Sequence, residues 1–587
     1  MSIFASIQKS DDSSRSSDCV HSYFADVITS KLSQSEHTDF LNGMLIKLSE
    51  EAAKGSSCIV LSEDQRKTTI EALEVSPWLN SLLCLKGDRL QLKKYFQAEQ
   101  DIEAALKTLA LTCSESTQNK SDEAVLVSRL QQLEHMDDDG QRVILNALKS
   151  NLSIITGGPG TGKTTIVVRV LALLIESHRA AHDSLPTIEV LAPTGKAAAR
   201  VKESVVSQKQ AWLKDLRGFD RRIIEAIPEH SQTVQKFLAI NPTTRKSRFK
   251  DSKTANVDIV IVDEASMLDV FLVQQLVTAL KPTTRLIFLG DPYQLASVEA
   301  GNVLAQITHA GDHVHWLKPC CEKLIKSHRF TDDSGIGQLA YATNDGDVDR
   351  ALDCLESDLK FDDVSIQKEV EQAREQAALG YNTYKQAISD YKGLVKKGAV
   401  SDEATKKVFE AFDQWQVFSP FRTGKFGVKG LNEYIENELK LSDGKDWYLG
   451  KPVMIQTNDH ALKLYNGDIG ICLDPNGETV TFPGTEASDS EDTSQAGYRH
   501  IPTRILPDND LVYAMTVHKS QGSEYKACML VVPEPNESQK NLLTREILYT
   551  AITRAKKEFR LFCREVELSL MVKTKTERVS GLFASES

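Results

Sequence analysis

"ITGGPGTGKTT", Ile155 to Thr165, closes the apolar run "LSIITGG" and opens the run "TTIVVRVLALLIES". The first run has the β-branched character of a buried strand, and the second has helical spacing. Gly157, Gly162, Lys163 and Thr164 satisfy the pattern G-x-x-x-x-G-K-[ST] between them. Glycines let backbone N–H groups crowd around phosphate oxygens, so Gly157, Gly158, Pro159, Gly160, Thr161, Gly162, Lys163, Thr164 and Thr165 are read as a socket for ATP. Lys163 reaches the β- and γ-phosphates, and the Thr164 hydroxyl is placed to hold Mg²⁺. A strand, a glycine loop and a helix in that order predict an α/β P-loop NTPase fold. Kinases, transporters and motors share the socket, so the use of the triphosphate has to be read elsewhere in the chain.

Three further β-branched runs, "IEVLAPT", "VDIVIVDEAS" and "TRLIFLGD", each end in a polar or glycine turn, as buried parallel strands do. Asp263 at the end of the second would complete the Mg²⁺ shell, and Glu264 beside it is the base that orients an attacking water. An acidic pair can also cap a helix, but that does not explain its company with the socket. "LGDPYQLASVEAG" supplies Gly290, Asp291 and Gln294; a neutral amide at 294 can read the γ-phosphate. Arg329 in "KSHRF" and Arg554 in "LYTAITRAKK" are candidates for the guanidinium that meets transition-state charge from the facing domain. Two polar loops follow strands: Pro193, Thr194, Gly195 and Lys196, and Thr516, His518, Lys519, Ser520, Gln521 and Gly522. One nucleotide site with two such loops suggests a strand of nucleic acid laid across both domains, held through phosphates and sugars.

At 587 residues the chain is too long for one compact domain. Residues 1–112 read as a helical N-terminal domain, and the polar stretch 113–122 as a linker. Residues 123–330 carry the alternating pattern of a first lobe, with a projecting hairpin or loop near the basic stretch 241–253. Residues 331–414 read as charged helix, "VSIQKEVEQAREQAALGYNTYKQAI" being the clearest case. A second α/β pattern resumes after Trp415, so 331–587 is a second lobe. Near 451–504 short strands with Gly and Asn turns predict a small β-barrel insert with an acidic loop, "EASDSEDTSQAG".

Charged residues make up 26% and hydrophobic residues 41%, an ordinary soluble composition. A net charge of −12 excludes a generally basic surface, though not a local basic channel. No apolar run suits a membrane span, and the N-terminus lacks the basic and apolar regions of a secretory signal. The ten cysteines form no CxxC pair, which points to free thiols in a reducing cytoplasm.

The ordered set GGPGTGKTT, APTGKAAAR, VDEASMLD, GDPYQLASVEAG, VHKSQGSE and YTAITRA resembles a superfamily 1 helicase of the 5′-to-3′ branch. "GDPYQLASVEAGNVL", "AMTVHKSQGSEY" and the tail "TERVSGLF" are similar to the RecD family, the α subunits of exodeoxyribonuclease V. The resemblance covers Met136 to the C-terminus and implies two RecA-like lobes, an SH3-like insert, RecB-like and RecC-like partners in a heterotrimer, and action on DNA ends in double-strand break repair and recombination, on the nucleoid. It also implies that Gln141 reads adenine. Tyr293, Gln235 and His328 depart from the residues common at their positions in relatives. Two other readings stay open: a self-standing RecD-like helicase, whose helix-hairpin-helix signatures are not found in residues 1–112, and a nucleotide-dependent scaffold.

Overall fold

The computed structural model describes residues 13–32, 37–112, 129–130, 138–249, 253–330, 334–356, 363–442, 444–459, 461–484 and 497–584. The expected linker at 113–122 and nearly all of the acidic loop lie outside the described residues.

Strands β1 (Cys58–Val60), β2 (Leu83–Lys86) and β3 (Arg89–Leu92) form a small antiparallel sheet in the order β1-β3-β2. The N-terminal region is therefore not purely helical: its short apolar runs pair with each other, which helical spacing alone does not reveal. Its core is Leu41, Leu45, Leu48, Ile59, Leu79, Leu83 and Leu90.

The first large sheet holds β4 (Leu152–Gly157), β5 (Ile188–Ala192), β6 (Gln232–Thr233), β7 (Ile259–Val262), β8 (Arg285–Gly290) and β9 (Cys321–Leu324). Its order is β6-β5-β7-β8-β4-β9, with every pair parallel. Strands covered on both faces must be apolar at consecutive positions. Accordingly Ile155, Ile261 and Leu289 face one core with the helix Lys163–His182, while Ile154, Val262 and Phe288 face another. The second core also takes Tyr95, Ala98, Ile102, Leu106 and Leu109 from the helix Lys93–Leu111. That helix is therefore part of the first lobe, and the expected boundary at 112 cuts behind a core element. Its Ile and Leu side chains are each worth about 1.5–3 kcal/mol of burial.

The second large sheet is β10 (Val364–Gln367), β11 (Trp415–Ser419), β17 (Ala514–Thr516), β18 (Tyr525–Val531) and β19 (Ala555–Phe562), in the parallel order β10-β19-β18-β11-β17. The segment "VSIQ", expected to be helical, is its edge strand. Val364 and Ile366 alternate into the core and pair with β19, so tertiary pairing outweighs the local charge pattern.

Inserted in this lobe is an antiparallel sheet of β12 (Pro452–Ile455), β13 (Ile469–Ile471), β14 (Thr479–Pro483), β15 (Tyr498–Pro502) and β16 (Asn509–Leu511), ordered β15-β14-β13-β12-β16. Its last strand lies beyond the expected end at 504, and its two edges, β15 and β16, are not paired with each other. Near 241–253 the described residues carry no strand pair: Arg245 N–H donates to the Asn241 carbonyl and Asn241 N–H to that of Lys246, a tight turn.

Candidate functional site

The ends of β4, β5, β7 and β8 bring their loops to one edge of the first sheet, where an open parallel sheet places a ligand. A cavity of about 260 Å³ lies there, bounded on the far side by the second lobe. It is lined by Pro159 to Thr165, by Asp263, Glu264, Gln294 and Arg329, and by Arg554. These expected residues therefore meet in space although they span most of the chain. Gln141 is not among the lining residues; it stands on the first turn of the helix Asp138–Lys149, which rests on the helix that follows the loop.

The loop is shaped by its glycines. Gly160 and Gly162 have φ of +74° and +79°, where a side chain is strained. A Cβ on Gly160 would also stand 2.2 Å from the Arg329 Cβ. The segment after β9 is laid against the loop: Ser327 Oγ donates to the Pro159 carbonyl (3.1 Å) and His328 N–H to that of Gly160 (2.8 Å). Lys163 Nζ folds back on the Gly157 and Gly158 carbonyls at 2.6 and 2.9 Å.

Burial and the neighbouring Glu264 push the Asp263 carboxyl up to about 6, against the pull of Lys163 and Arg200. Glu264 itself sits in the left-handed region at φ 52°, a backbone cost typical of functional loops. Asp291 is buried, and burial raises its pKa. It accepts from Tyr293 N–H, Gln294 Nε2 and the Tyr549 hydroxyl. Gln294 passes the chain on, its Oε1 accepting from Arg554 Nη2 at 2.6 Å. Arg554, 2% exposed, also donates to the carbonyls of Ser523 and Thr550.

Arg329 comes from the first lobe, within whose expected bounds of 123–330 it lies, and not from the facing domain that its expected role calls for. It follows β9 of the first sheet and reaches across to Glu524 of the second lobe, Nη2 donating to both carboxylate oxygens at 2.8 and 2.9 Å. Arg200 pairs with the same carboxylate. Neither Glu524 nor Arg200 was singled out from sequence, although both lie inside the quoted motifs; a charge at the end of a polar loop carries no signal of its partner. Tyr549 was missed for the same reason.

Apart from Gly195 and Gly522, the residues of the two loops expected to touch DNA divide. Pro193 is buried; the Thr194 hydroxyl caps the helix Gly195–Asp215. Lys196 faces Asp413 and Asp468 of the second lobe, and burial lowers its pKa. Lys519 meets Gln456 and, at 3.6 Å, Asp510 of the insert. The Gln521 amide donates to the Leu295 carbonyl across the lobes (2.7 Å). Ser520 is a correction: it is fully buried and donates to the Val517 carbonyl, because the turn after β17 needs a partner for that group. Thr516 is half-buried and His518 is exposed.

Residues 141–300 match the family described as AAA domain, and residues 511–562 the UvrD-like helicase C-terminal domain. The RecBCD enzyme subunit RecD of Haemophilus influenzae is 34% identical over 76% of this chain and 72% of its own length. That of Mycolicibacterium smegmatis is 34% identical over 87% of this chain and 85% of its own length. The chain belongs to the RecD family. The ATP-dependent RecD2 DNA helicase of Deinococcus radiodurans is 26% identical over 80% of this chain but only 54% of its own length. This RecD-family chain is accordingly a nucleotide-binding protein with RecA-like parallel sheets, and none of its described helices is long and apolar enough to cross a membrane.

Proposed function

We propose that this chain is an ATP-driven helicase that moves 5′ to 3′ on single-stranded DNA, as the motor of a heterotrimer with RecB-like and RecC-like subunits. The observation that carries the reading is the placement of Lys163, Asp263 and Glu264 in one lobe and Arg554 in the other around a single cavity. A γ-phosphate held there draws the two lobes together, and its loss through Gln294 lets them part.

Mg²⁺ fits the donor set. The Thr164 hydroxyl and Asp263 carboxylate line the same cavity, and a buried carboxylate pushed up in pKa gains from a cation. Two protein oxygens suit an ion that keeps water and phosphate oxygens as its other ligands. When bound, the ion neutralises phosphate charge; Lys163 holds the β- and γ-phosphates, and Glu264 orients the attacking water. Gln141 reads the base.

Lobe closure moves the loops at Thr194–Lys196 and Thr516–Gln521 relative to each other, which converts turnover into stepping along DNA. The site of action is cytoplasmic, on DNA ends at the nucleoid, in double-strand break repair. A self-standing helicase is the weaker reading, because the two RecD subunits are 34% identical to this chain and the RecD2 helicase 26%. A nucleotide-dependent scaffold has no need of Glu264 and the arginines. Strand displacement on duplexes with a 5′ or a 3′ tail, with ATP consumption followed alongside, tests the reading. Unwinding from a 5′ tail with DNA-stimulated turnover is expected; unwinding only from a 3′ tail overturns the polarity, and turnover indifferent to DNA overturns the motor.

A further inference from the structure

Glu524 stands immediately before β18 in the second lobe, its side chain 10% exposed on the wall of the cavity. Three cations converge on it: Arg329 at 2.8 Å, Arg200, and Lys556 at 3.8 Å. Arg200 and Arg329 belong to the first lobe, so the cluster bridges the cleft. Burial pushes the carboxyl up, but the two guanidiniums overcome it and hold it at about 2, fully ionised at any working pH.

The fork geometry is informative. One nitrogen of Arg329, Nη2, makes both contacts to Glu524, and Nη1 is left buried without a hydrogen-bond partner. A guanidinium free to rotate would satisfy a second nitrogen, since an orphaned buried donor is costly. Glu524 therefore anchors Nη2, and with the Arg329 backbone laid against Gly160 of the loop the spare donor Nη1 is held on a residue that lines the cavity. That is pre-organisation of the kind that lowers a barrier without first binding the ground state.

We propose that Glu524 is the positioning residue for Arg329, with Arg200 as its second support: the carboxylate holds the arginine so that Nη1 meets charge developing on the transferred phosphoryl group. Glu524 touches no phosphate in this scheme. This inference rests on the ATPase reading given above.

The test is a double-mutant cycle on the full chain, in its complex where the partners are needed for turnover. Glu524→Gln is expected to lower kcat about 30-fold or more while KM for ATP moves less than about threefold, since positioning acts on the transition state. Glu524→Asp restores part of the loss. In an Arg329→Ala background the same Glu524→Gln change costs nothing further. Melting curves accompany each variant, and Glu524→Asp carries the cycle if Glu524→Gln does not fold. Losses that multiply in the double variant, or a rise in KM that matches the fall in kcat, overturn the proposal. A wild-type chain without ATP turnover sinks the ATPase reading itself, whereas active wild type with an indifferent Glu524→Gln sinks only this inference.

Discussion

Arg554 and Gln294 are joined across the cleft: the guanidinium Nη2 donates to the amide oxygen at 2.6 Å, and the same amide donates to Asp291 at 3.1 Å. A side chain of the second lobe is thereby wired to the end of β8 in the first. In the proposed reaction, loss of a γ-phosphate sensed at Gln294 reaches both lobes through this contact.

Arg554 meets growing transition-state charge in the proposed reaction, so Arg554→Ala should lower turnover about 10³-fold. The residue is also a buried structural member. Its loss orphans the Ser523 carbonyl and the Gln294 amide oxygen, at about 1–3 kcal/mol for each acceptor that stays dry, while the Thr550 carbonyl keeps the Thr553 hydroxyl. ATP hydrolysis and thermal unfolding measured together should both drop; a normal melting curve would mean that water replaces the guanidinium.

Lys163→Gln should abolish turnover and leave the melting curve unchanged. Among the described residues its ammonium hydrogen-bonds only to carbonyls of its own loop, which a Gln amide also serves. Retained hydrolysis would remove the triphosphate assignment of the loop.

Glu524 gives the acid limb a defined sign. Its carboxyl is held at about 2 against an ordinary 4.5, so the folded state binds fewer protons than the unfolded state between those values. Its contribution, on the order of 1–3 kcal/mol, is complete above about pH 4.5 and is lost as pH falls toward 2. Melting temperatures from pH 7 to 3 should show wild type and Glu524→Gln widely separated at pH 6 and converging on acidification. A constant gap would assign the loss to packing.

Ile102→Ala should cost about 2–5 kcal/mol in denaturant unfolding, because the side chain is fully buried in the core of the first lobe. Deletion of residues 1–112 removes the whole helix Lys93–Leu111, and with it Glu99, which accepts from Ser580 and Gly581 of the tail. That truncated chain should not fold; recovery of a cooperative, active ATPase from it would show that the first lobe closes its core without the helix.

Ser520→Ala should lower stability by about 0.5–1.5 kcal/mol through the lost bond to Val517. Its affinity for single-stranded DNA should stay within about twofold of wild type, since a buried hydroxyl makes no phosphate contact. His518→Ala, at an exposed ring of the same loop, should weaken binding; fluorescence anisotropy with an oligonucleotide separates the two.

The sequence by itself determined the P-loop, the acidic pair Asp263–Glu264, the two parallel sheets and the family, because each is a local pattern: glycines where backbone must approach phosphate, β-branched runs where strands are covered on both faces. Only the tertiary structure decided that Arg329 pairs with Glu524, that Ser520 faces inward, that "VSIQ" is an edge strand, and that Lys93–Leu111 completes the first core. Apart from Ser520, whose partner Val517 is three residues away, those outcomes depend on partners distant in the chain. Arg329 lies 195 residues from Glu524, and Arg554 lies 260 from Gln294. An arginine has the same local sequence signature whether it ends in solvent, in a carboxylate or against a phosphate; burial and the identity of the opposing charge settle the matter, and both exist only once the chain has closed on itself.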